Sequence, residues 1–408
     1  MNLIVLALRN VLRNRRRSLI TIVAVAVGLA AVGLFGGYIA NVYSGLEAMA
    51  VSGERLGHLT VYKKGMLTLG KLKPKKYMFD ASEGKRVEQA LASLPFVKLV
   101  SPRLSISGIV SNGKASTIFI GEGVVAAHAD TLRGSLPEGA GGRLDVNQSY
   151  GLAVSSDLAD MLNFKKGDSM TLMTSTIDGQ ANAMDAQIID VFNTGNTNTN
   201  DKYMLMPIGF AQSLLDTGSA ERYVVLLDDI AKTESARLLI GERLARAGFD
   251  VEIKTWEELS SFYTSVRNLF NMIFSFIAFI VFIVAAMSIA NTMAMTVVER
   301  TREIGTLRAM GMQRKSIVGM FVMEGVWLAA MGVLLGLAIT LMAALAVNSA
   351  GISYVPPNSS YSVALLVDIA WSRIAIVSVV IVLLALASAT LPAWRGARRN
   401  IVDALAFT

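Results

Sequence analysis

The chain of 408 residues is 53% hydrophobic and only 17% charged, with a formal net charge of +7. Soluble domains carry about 25% charged residues, so this composition points to a membrane protein rather than a soluble enzyme. The sequence has no cysteine and two histidines, His58 and His128. Disulfides and thiolate chemistry are therefore excluded, and no pair of residues has the spacing of metal ligands. We expect no catalytic residue, no metal site and no bound cofactor.

Four apolar stretches are long enough to cross a membrane, which takes about 18 or more residues. The first follows a run of arginines and is too long for the apolar core of a cleaved signal peptide, so we expect it to remain as an anchor. The third contains one acidic residue, Glu324. The four stretches are residues 19–40, 272–290, 317–347 and 374–391.

Basic residues are concentrated beside these predicted spans. Residues 1–18 hold five arginines and no acid, residues 296–316 hold five basic and two acidic residues, and residues 392–408 hold three arginines and one aspartate. Lys and Arg near span ends mark the cytoplasmic side of a membrane. Both termini and the segment between the second and third spans are therefore predicted to be cytoplasmic. No other basic patch favours nucleic acid as a partner.

Residues 1–18 also have the pattern of an amphipathic helix lying at the inner leaflet. A simple anchor to anionic lipid is the alternative. The apolar side of that helix would carry Ile4, Leu8, Val11 and Leu12, and the polar side Arg9, Arg13, Asn14 and Arg16.

Residues 53–255 separate the first span from the second and are predicted to form an α+β extracytoplasmic domain. Stretches of β-branched and aromatic residues predict strands at 59–62, 105–110, 117–120, 186–191 and 223–227. A further strand is expected after the turn at Gly167. Helices are predicted at 155–163 and 233–247, and the polar, glycine-containing segments 134–143 and 193–201 are predicted to be mobile loops.

Residues Thr255 to Glu258 have the form of a capping box, and neither Pro nor Gly follows before Gly305. This pattern predicts one unbroken helix from Trp256 through the second span. The first span is likewise expected to continue past the membrane, through residues 41–52. Two such stalks would connect the outer domain to the cytoplasmic side, whereas helices that kink at the membrane surface would transmit nothing.

The segment 296–316, called the strip below, joins the second and third spans. A glycine, Gly311, stands where a helix would end, and Glu299 and Arg302 are spaced to pair along it. An apolar row of Ile304, Leu307 and Met310 predicts a short amphipathic helix that docks in a partner's groove. A plain positive-inside loop is the alternative. The predicted coupling residues are Glu299, Arg302, Glu303, Ile304, Leu307, Arg308 and Met310.

Two features stand out in the third span. Glu324 lies about two turns inside it, where an acid is costly and is usually functional or paired; reaching back to the inner interface is the alternative. Small residues recur on one helical face and permit close helix approach. They could pack within the chain or form a dimer seam. They are Gly325, Ala329, Gly332 and Gly336.

The strip sequence ERTREIGTLRAMGMQRKSI resembles the coupling segment of FtsX-like permeases, the family that contains MacB and the LolC/LolE subunits. The beginning, LALRNVLRNRRRSLITIVAVAVGLA, and the end, LPAWRGARRNIVDALAF, are similar to the same family. The segment GLAVSSDLADMLNFKKGDSMTLM resembles the MacB-type periplasmic domain. One departure lies at residues 398–405, where the family often has a proline. The resemblance covers nearly the whole chain.

This resemblance implies a fold of four transmembrane helices with a large α+β, MacB-type periplasmic domain inserted between helices 1 and 2. It also implies a multi-pass protein of the bacterial inner membrane, with both termini cytoplasmic. The expected partners are a cytoplasmic ABC ATPase dimer, a second permease copy in a homo- or heterodimer, a periplasmic adaptor or carrier protein, and membrane lipid. Since the chain has no phosphate-binding loop, ATP and Mg²⁺ are expected on the ATPase.

The predicted layout suggests four functions. A transport permease that releases lipoproteins by mechanical transmission is favoured by the size of the outer domain, and by a first span that begins at residue 19, as in the LolC/LolE arrangement. MacB-like efflux of drugs, toxins or peptides is an alternative, and so is FtsX-like signalling without transport. An intramembrane enzyme has little support, because the predicted spans contain no set of catalytic residues.

These expectations divide the chain into nine parts. They are an interfacial helix (1–18), the first span and stalk (19–52), the α+β domain (53–255), the stalk and second span (256–295), the coupling helix (296–316), the third span (317–347), a short periplasmic loop (348–373), the fourth span (374–391) and a cytoplasmic tail (392–408).

Overall fold

The computed structural model describes residues 7, 9–11, 15–134, 139–356, 359–360 and 362–405. Most of the predicted amphipathic helix of residues 1–18 lies outside this part of the chain. The described residues form two compact units. One comprises the described residues within 1–43, 266–353 and 364–408, and the other those within 44–265 and 354–363.

The first unit is helical. Among the described residues, four helices are long and apolar enough to cross a membrane. They are called the first to fourth span helices: Arg15–Ala48, Ser261–Glu299, Arg314–Ser349 and Trp371–Ala397. Two shorter helices, Thr301–Ala309 and Ile401–Leu405, follow the second and the fourth of them. The apolar core of the unit contains Val25, Ile289, Leu328 and Ile381, one from each span helix.

The second unit is built on a nine-stranded sheet in the order β3-β7-β4-β6-β5-β2-β8-β1-β9. Because β2 also pairs with β3, the first six strands of this order close into a ring. The strands are β1 (Leu59–Lys63), β2 (Val97–Ser111), β3 (Ser116–Val124), β4 (Gly151–Ser155), β5 (Ser169–Ser175), β6 (Ala181–Phe192), β7 (Tyr203–Pro207), β8 (Arg222–Leu227) and β9 (Val251–Thr255). A separate two-stranded pairing joins β10 (Ser353–Tyr354) and β11 (Val363–Ala364).

Two apolar cores support this sheet. All six strands of the ring contribute to the first, with residues such as Val110, Leu172 and Met204. The second lies where β1, β8 and β9 pack against two amphipathic helices, Ala81–Ala92 and Thr233–Arg246. The remaining helices of the unit are Met66–Leu69, Pro74–Tyr77, Ala126–Arg133, Ser156–Met161, Thr197–Asn200, Ile208–Leu215 and Trp256–Leu259, with a π-helical turn at Met49–Gly53 and a 3₁₀ turn at Ile230–Lys232.

The expected fold class is confirmed: four apolar helices, with an α+β unit between the first and the second. The segment 193–201 is not simply a loop, since it contains the helix Thr197–Asn200. Asn200 is fully buried there, and its side chain donates to Ser156 Oγ at 2.8 Å. Its amide thus anchors this polar segment to the neighbouring helix.

The expected unbroken helix from Trp256 is wrong. A short helix ends at Leu259, and the second span helix begins at Ser261. Ser260 separates them with φ −82° and ψ 89°, and its Oγ accepts from the backbone N–H of Tyr263 at 3.4 Å. Serine readily caps a helix in this way, so the chain starts a new helix here although it has neither Pro nor Gly.

Candidate coupling site

The strip is built from three pieces. The second span helix ends at Glu299, a short helix spans Thr301–Ala309, and the third span helix begins at Arg314. The short helix is called the strip helix below. Arg300, with φ −102° and ψ 18°, makes the turn at its beginning. The strip helix is therefore shorter than the predicted segment 296–316.

Gly311 ends the strip helix in a Schellman motif. Its φ is +91°, a conformation that favours glycine. The N–H of Gly311 donates to the carbonyl of Arg308, and the N–H of Met312 donates to the carbonyl of Leu307, both at 3.0 Å. Leu307 and Met312 also pack against the same apolar cluster. This ending fixes the direction in which the chain enters the third span helix.

The apolar row predicted for the strip does not lie on one free face. Ile304 is only 2% exposed and packs in a cluster with Val297, Phe321 and Ala393. Leu307 is half-buried beside the same cluster. Met310 lies six residues after Ile304, which at about 100° per residue places it on another side of the helix, and it is 71% exposed. Ile304 therefore stabilises this chain and does not face a partner.

The exposed side of the strip helix is a different set of residues. Positions three and four apart on a helix share a face, and the exposed residues here follow that spacing. This outward face consists of Arg302, Glu303, Thr306, Ala309 and Met310. It combines one cation, one anion and one long apolar side chain, a composition that suits a protein partner.

Arg300 connects the strip to the third span helix. Its Nη1 donates to Glu324 Oε1 at 2.7 Å, and its Nε donates to Glu303 Oε2 at 2.7 Å. The guanidinium also lies over the ring of Phe321, 5.3 Å from its centroid. Burial is the largest influence on the pKa of Arg300 and lowers it, but the hydrogen bond to Glu303 and the charge of Glu324 outweigh burial and raise this pKa above its ordinary value.

Glu324 is 2% exposed and is held by two partners. Besides Arg300, the amide of Asn10 donates to its Oε1 at 2.6 Å. The carboxylate thus joins the segment before the first span helix to the strip and to the third span helix. Sequence considerations left a functional role and an interface role open; the structure places Glu324 in a buried ion pair.

Glu299 and Arg308 also have partners within the chain. The expected pairing of Glu299 with Arg302 is wrong, since Glu299 forms an ion pair with Arg17 instead. Arg308 is half-buried, and its Nη1 donates to the carbonyl of Arg399 at 2.6 Å. Arg302 stays exposed on the outward face.

The small-residue stripe of the third span helix packs inside the chain. A Cβ added at Gly325 would lie 2.8 Å from the Cβ of Ala389, and one added at Gly332 would lie 2.7 Å from the Cβ of Val25. Gly336 approaches the first span helix in the same way, and Ala329 is fully buried. These contacts favour close helix packing within the chain over a dimer seam.

Sequence reasoning missed several participants. Asn10 and Arg300, which hold Glu324, are 314 and 24 residues from it along the chain, and the sequence shows only that a buried acid needs a partner. Thr306 and Ala309 could have been found by projecting the strip on a helical wheel. Among the described residues, no group of three or more His, Asp or Glu side chains is placed to hold a metal ion.

Two family models match the chain. The model described as the MacB-like periplasmic core domain matches residues 18–242, and the model described as the FtsX-like permease C-terminal domain matches residues 275–401. The first covers more than half of the chain. The second includes the whole strip and the third span helix.

The relatives include one permease of about the same length as this chain and one protein that is much longer. An uncharacterized ABC transporter permease of Methanocaldococcus jannaschii is 22% identical over 99% of this chain and 97% of its own length. The macrolide export ATP-binding/permease protein MacB of Campylobacter jejuni is 25% identical over 88% of this chain and 56% of its own length. The chain therefore spans about half the length of that MacB.

Among solved structures, the periplasmic region of MacB from Actinobacillus actinomycetemcomitans is 14% identical, with a TM-score of 0.37, and the match covers 52% of this chain and 92% of that structure. The family assignment rests on the sequence models. The chain belongs to the FtsX-like, MacB-type family of ABC transporter permeases.

Proposed function

We propose that this chain is a permease subunit that couples ATP hydrolysis by a separate cytoplasmic ATPase to movement of its α+β domain, and that it releases lipoproteins from the inner membrane. Its partners are an ABC ATPase dimer, which binds ATP and Mg²⁺, and a second permease copy. Both termini and the strip lie on the cytoplasmic side, in agreement with the positive-inside distribution of Lys and Arg.

The arrangement of the strip helix is the observation that carries this proposal. One side is packed through Ile304 against residues of the second, third and fourth span helices, while the outward face, with Met310, is free to receive a partner. Arg300 adds an ion pair to the third span helix. A force applied to the outward face would therefore reach several spans at once.

The second span helix supports transmission by mechanical movement. It is a single helix of 39 residues, which at 1.5 Å per residue is about 58 Å long. The membrane hydrocarbon is about 30 Å thick, so the helix exceeds it on at least one side. Ser260, which separates this helix from the preceding one, would act as the joint at its beginning.

Two charged side chains of the span helices are committed to contacts inside the chain. Glu324 is paired with Arg300, and Arg373 lies over the rings of Tyr43 and Phe274. Such residues do not line a polar path, which favours a cargo that is already in the outer leaflet. A lipid-anchored protein fits that description. MacB-like efflux is the second candidate, because several relatives are named for macrolide export.

Reconstitution tests the proposal. The full chain would be placed in proteoliposomes with its ATPase and a fluorescent triacylated lipoprotein, and release into a soluble lipoprotein-binding carrier would be measured. We expect release that requires ATP and stops with an ATPase variant that cannot hydrolyse it. Macrolide export without lipoprotein release would favour the second candidate. Stable assembly with the ATPase but no movement of either cargo would favour FtsX-like signalling.

A further inference from the structure

Three arginines and one glutamate lie together inside the α+β unit, away from the strip. Arg103 in β2 and Arg222 in β8 are register partners on neighbouring strands, and Glu122 lies in β3. Arg55 follows the π-helical turn Met49–Gly53. Arg55 is 1% exposed and Arg103 is 0% exposed. Buried arginines normally have partners that neutralise them, so their contacts are informative.

The carboxylate of Glu122 is mainly engaged by Arg222. Arg222 Nη2 donates to Glu122 Oε1 at 2.5 Å, and Tyr203 OH donates to Glu122 Oε2 at 3.2 Å. Arg222 also forms an ion pair with Glu221 at 2.6 Å. Arg103 Nη1 lies 3.8 Å from Glu122 Oε2, beyond hydrogen-bond distance. Glu122 therefore accepts a hydrogen bond from Arg222, whereas with Arg103 it forms only a longer ion pair that leaves the Arg103 donors without an acceptor.

The donors of the other two arginines lack acceptors. Among the described residues, the Nε, Nη1 and Nη2 atoms of Arg103 and the Nε atom of Arg55 are buried without a hydrogen-bond partner. Arg55 makes one long bond, from Nη2 to the carbonyl of Gly142 at 3.4 Å. More than nine in ten buried polar groups in proteins are hydrogen-bonded, and here four nitrogens in one place are not.

The cluster also has an excess of positive charge. Three guanidinium groups surround one buried carboxylate, that of Glu122, while Glu221 lies at the rim. Burial, the largest influence, lowers the pKa of Arg103 to about 10, so the side chain remains protonated near neutral pH. Burial, the larger influence, and the charge of Arg103 both lower the pKa of His128 below its ordinary value. An uncompensated charge in a protein interior is strongly unfavourable.

We propose that Arg55 and Arg103 bind a small inorganic anion of the chloride type. Both side chains are almost completely buried and have nitrogen donors without acceptors among the described residues, and both are close enough to Glu122 for their charges to act on its carboxylate, so we assign them to one site. An anion accepts hydrogen bonds from several N–H donors and neutralises the excess charge, whereas a water molecule would supply the hydrogen bonds only. The near-complete burial of both side chains favours a monatomic anion over a larger phosphate or carboxylate ligand.

A chloride titration of the full chain in detergent tests this site. Gluconate replaces chloride at constant ionic strength and pH, and the unfolding temperature is recorded. Because a ligand that binds only the folded state stabilises it, we expect the unfolding temperature to rise with the logarithm of the chloride concentration above the dissociation constant, by about 5 °C or more at about 100-fold that constant. An unfolding temperature that does not depend on chloride would overturn the proposal.

Variants locate the effect. Arg103→Met and Arg55→Met should each abolish the chloride dependence of the unfolding temperature. Arg246→Met is the control, because Arg246 is exposed and pairs with Glu242 on the surface. This variant should keep the chloride dependence of the wild type. A chloride effect that survives in both buried-site variants would contradict the assignment. If either variant fails to fold, the wild-type titration still decides.

Discussion

The guanidinium of Arg300 lies 2.7 Å from the carboxylate of Glu324 and is the link between the strip and the third span helix. Glu324 is the more deeply buried of the two. Because Arg300 follows the last residue of the second span helix directly, one ion pair joins two span helices at the point where the strip begins.

Replacing one member of this ion pair should lower the free energy of unfolding much more than replacing both. Arg300→Met leaves the Glu324 carboxylate buried without its cation, which typically costs about 3–5 kcal/mol. Replacing both by Met removes the charge together with its partner, so much of that loss should be recovered. Chemical unfolding of the full chain in detergent measures the difference. Strictly additive effects of the two substitutions would show that the residues are not coupled.

The close packing of the third span helix gives a second prediction. Gly332→Leu should destabilise the chain by about 1–3 kcal/mol, since the new side chain would overlap Val25. Gly319 in the same helix has open space around it, and Gly319→Ala should gain up to about 1 kcal/mol. Thermal unfolding of the two variants and the wild type measures both effects. Equal stability of Gly332→Leu and the wild type would refute the described packing.

A histidine in the α+β unit gives a third prediction, about pH. His58 Nδ1 accepts from the backbone N–H of Leu227 at 2.9 Å, which requires a neutral ring. Burial lowers the pKa of His58 below its ordinary value of about 6.5, and the nearby Asp229 and Asp228 oppose this only in part. As the pH falls below about 6.5, the unfolded chain takes up a proton that the folded chain does not, so stability must fall.

The variant His58→Asn isolates this effect. Its side-chain oxygen can replace Nδ1 as the acceptor but does not titrate. We expect the unfolding temperature of the wild type to fall between pH 7.5 and pH 5.5, and that of His58→Asn to fall less. Some dependence should remain because the pKa of His128 is lowered too. If the unfolding temperatures of the wild type and His58→Asn fell equally with pH, His58 would not be a source of the pH dependence.

The fold class could be predicted from the sequence because its signals are strong and local. Long apolar stretches with at most one charged residue define the spans, and clusters of Lys and Arg flank them. Ser260 shows where local reasoning stopped: the absence of Pro and Gly predicted continuity, but a serine that caps the following helix was enough to end the preceding one. One continuous helix and two helices separated at Ser260 are both compatible with the sequence. The hydrogen bond that Ser260 accepts at the beginning of the second span helix favours two helices.

The candidate site could be located from the sequence but not oriented. The charge and the position of Gly311 identified a short helix, whereas which side it buries depends on residues far along the chain, such as Phe321 and Ala393. The same applies to Glu324, whose partner could not be identified by spacing. The buried Arg103 lies in an ordinary-looking strand, where sequence gives no sign that an arginine faces the interior.

The central claim is that the ATPase binds to the outward face of the strip helix. Measuring the affinity of the ATPase for variants of this face tests the claim most directly. Met310→Asp and Arg302→Ala would be compared in the full chain with Met161→Asp, a matched change at an exposed methionine of the α+β unit. Leu307→Asp is unsuitable as the main variant because Leu307 is half-buried within the chain. Affinity for the purified ATPase would be measured at low and high salt.

If the claim is right, Met310→Asp weakens binding about thirtyfold or more, since losing a buried anchor typically costs about 2 kcal/mol or more. Arg302→Ala has a smaller effect that is largest at low salt, and Met161→Asp has none. If Met310→Asp binds the ATPase as tightly as the wild type while remaining folded, the outward face is not the docking surface and the strip is only a connection between two spans.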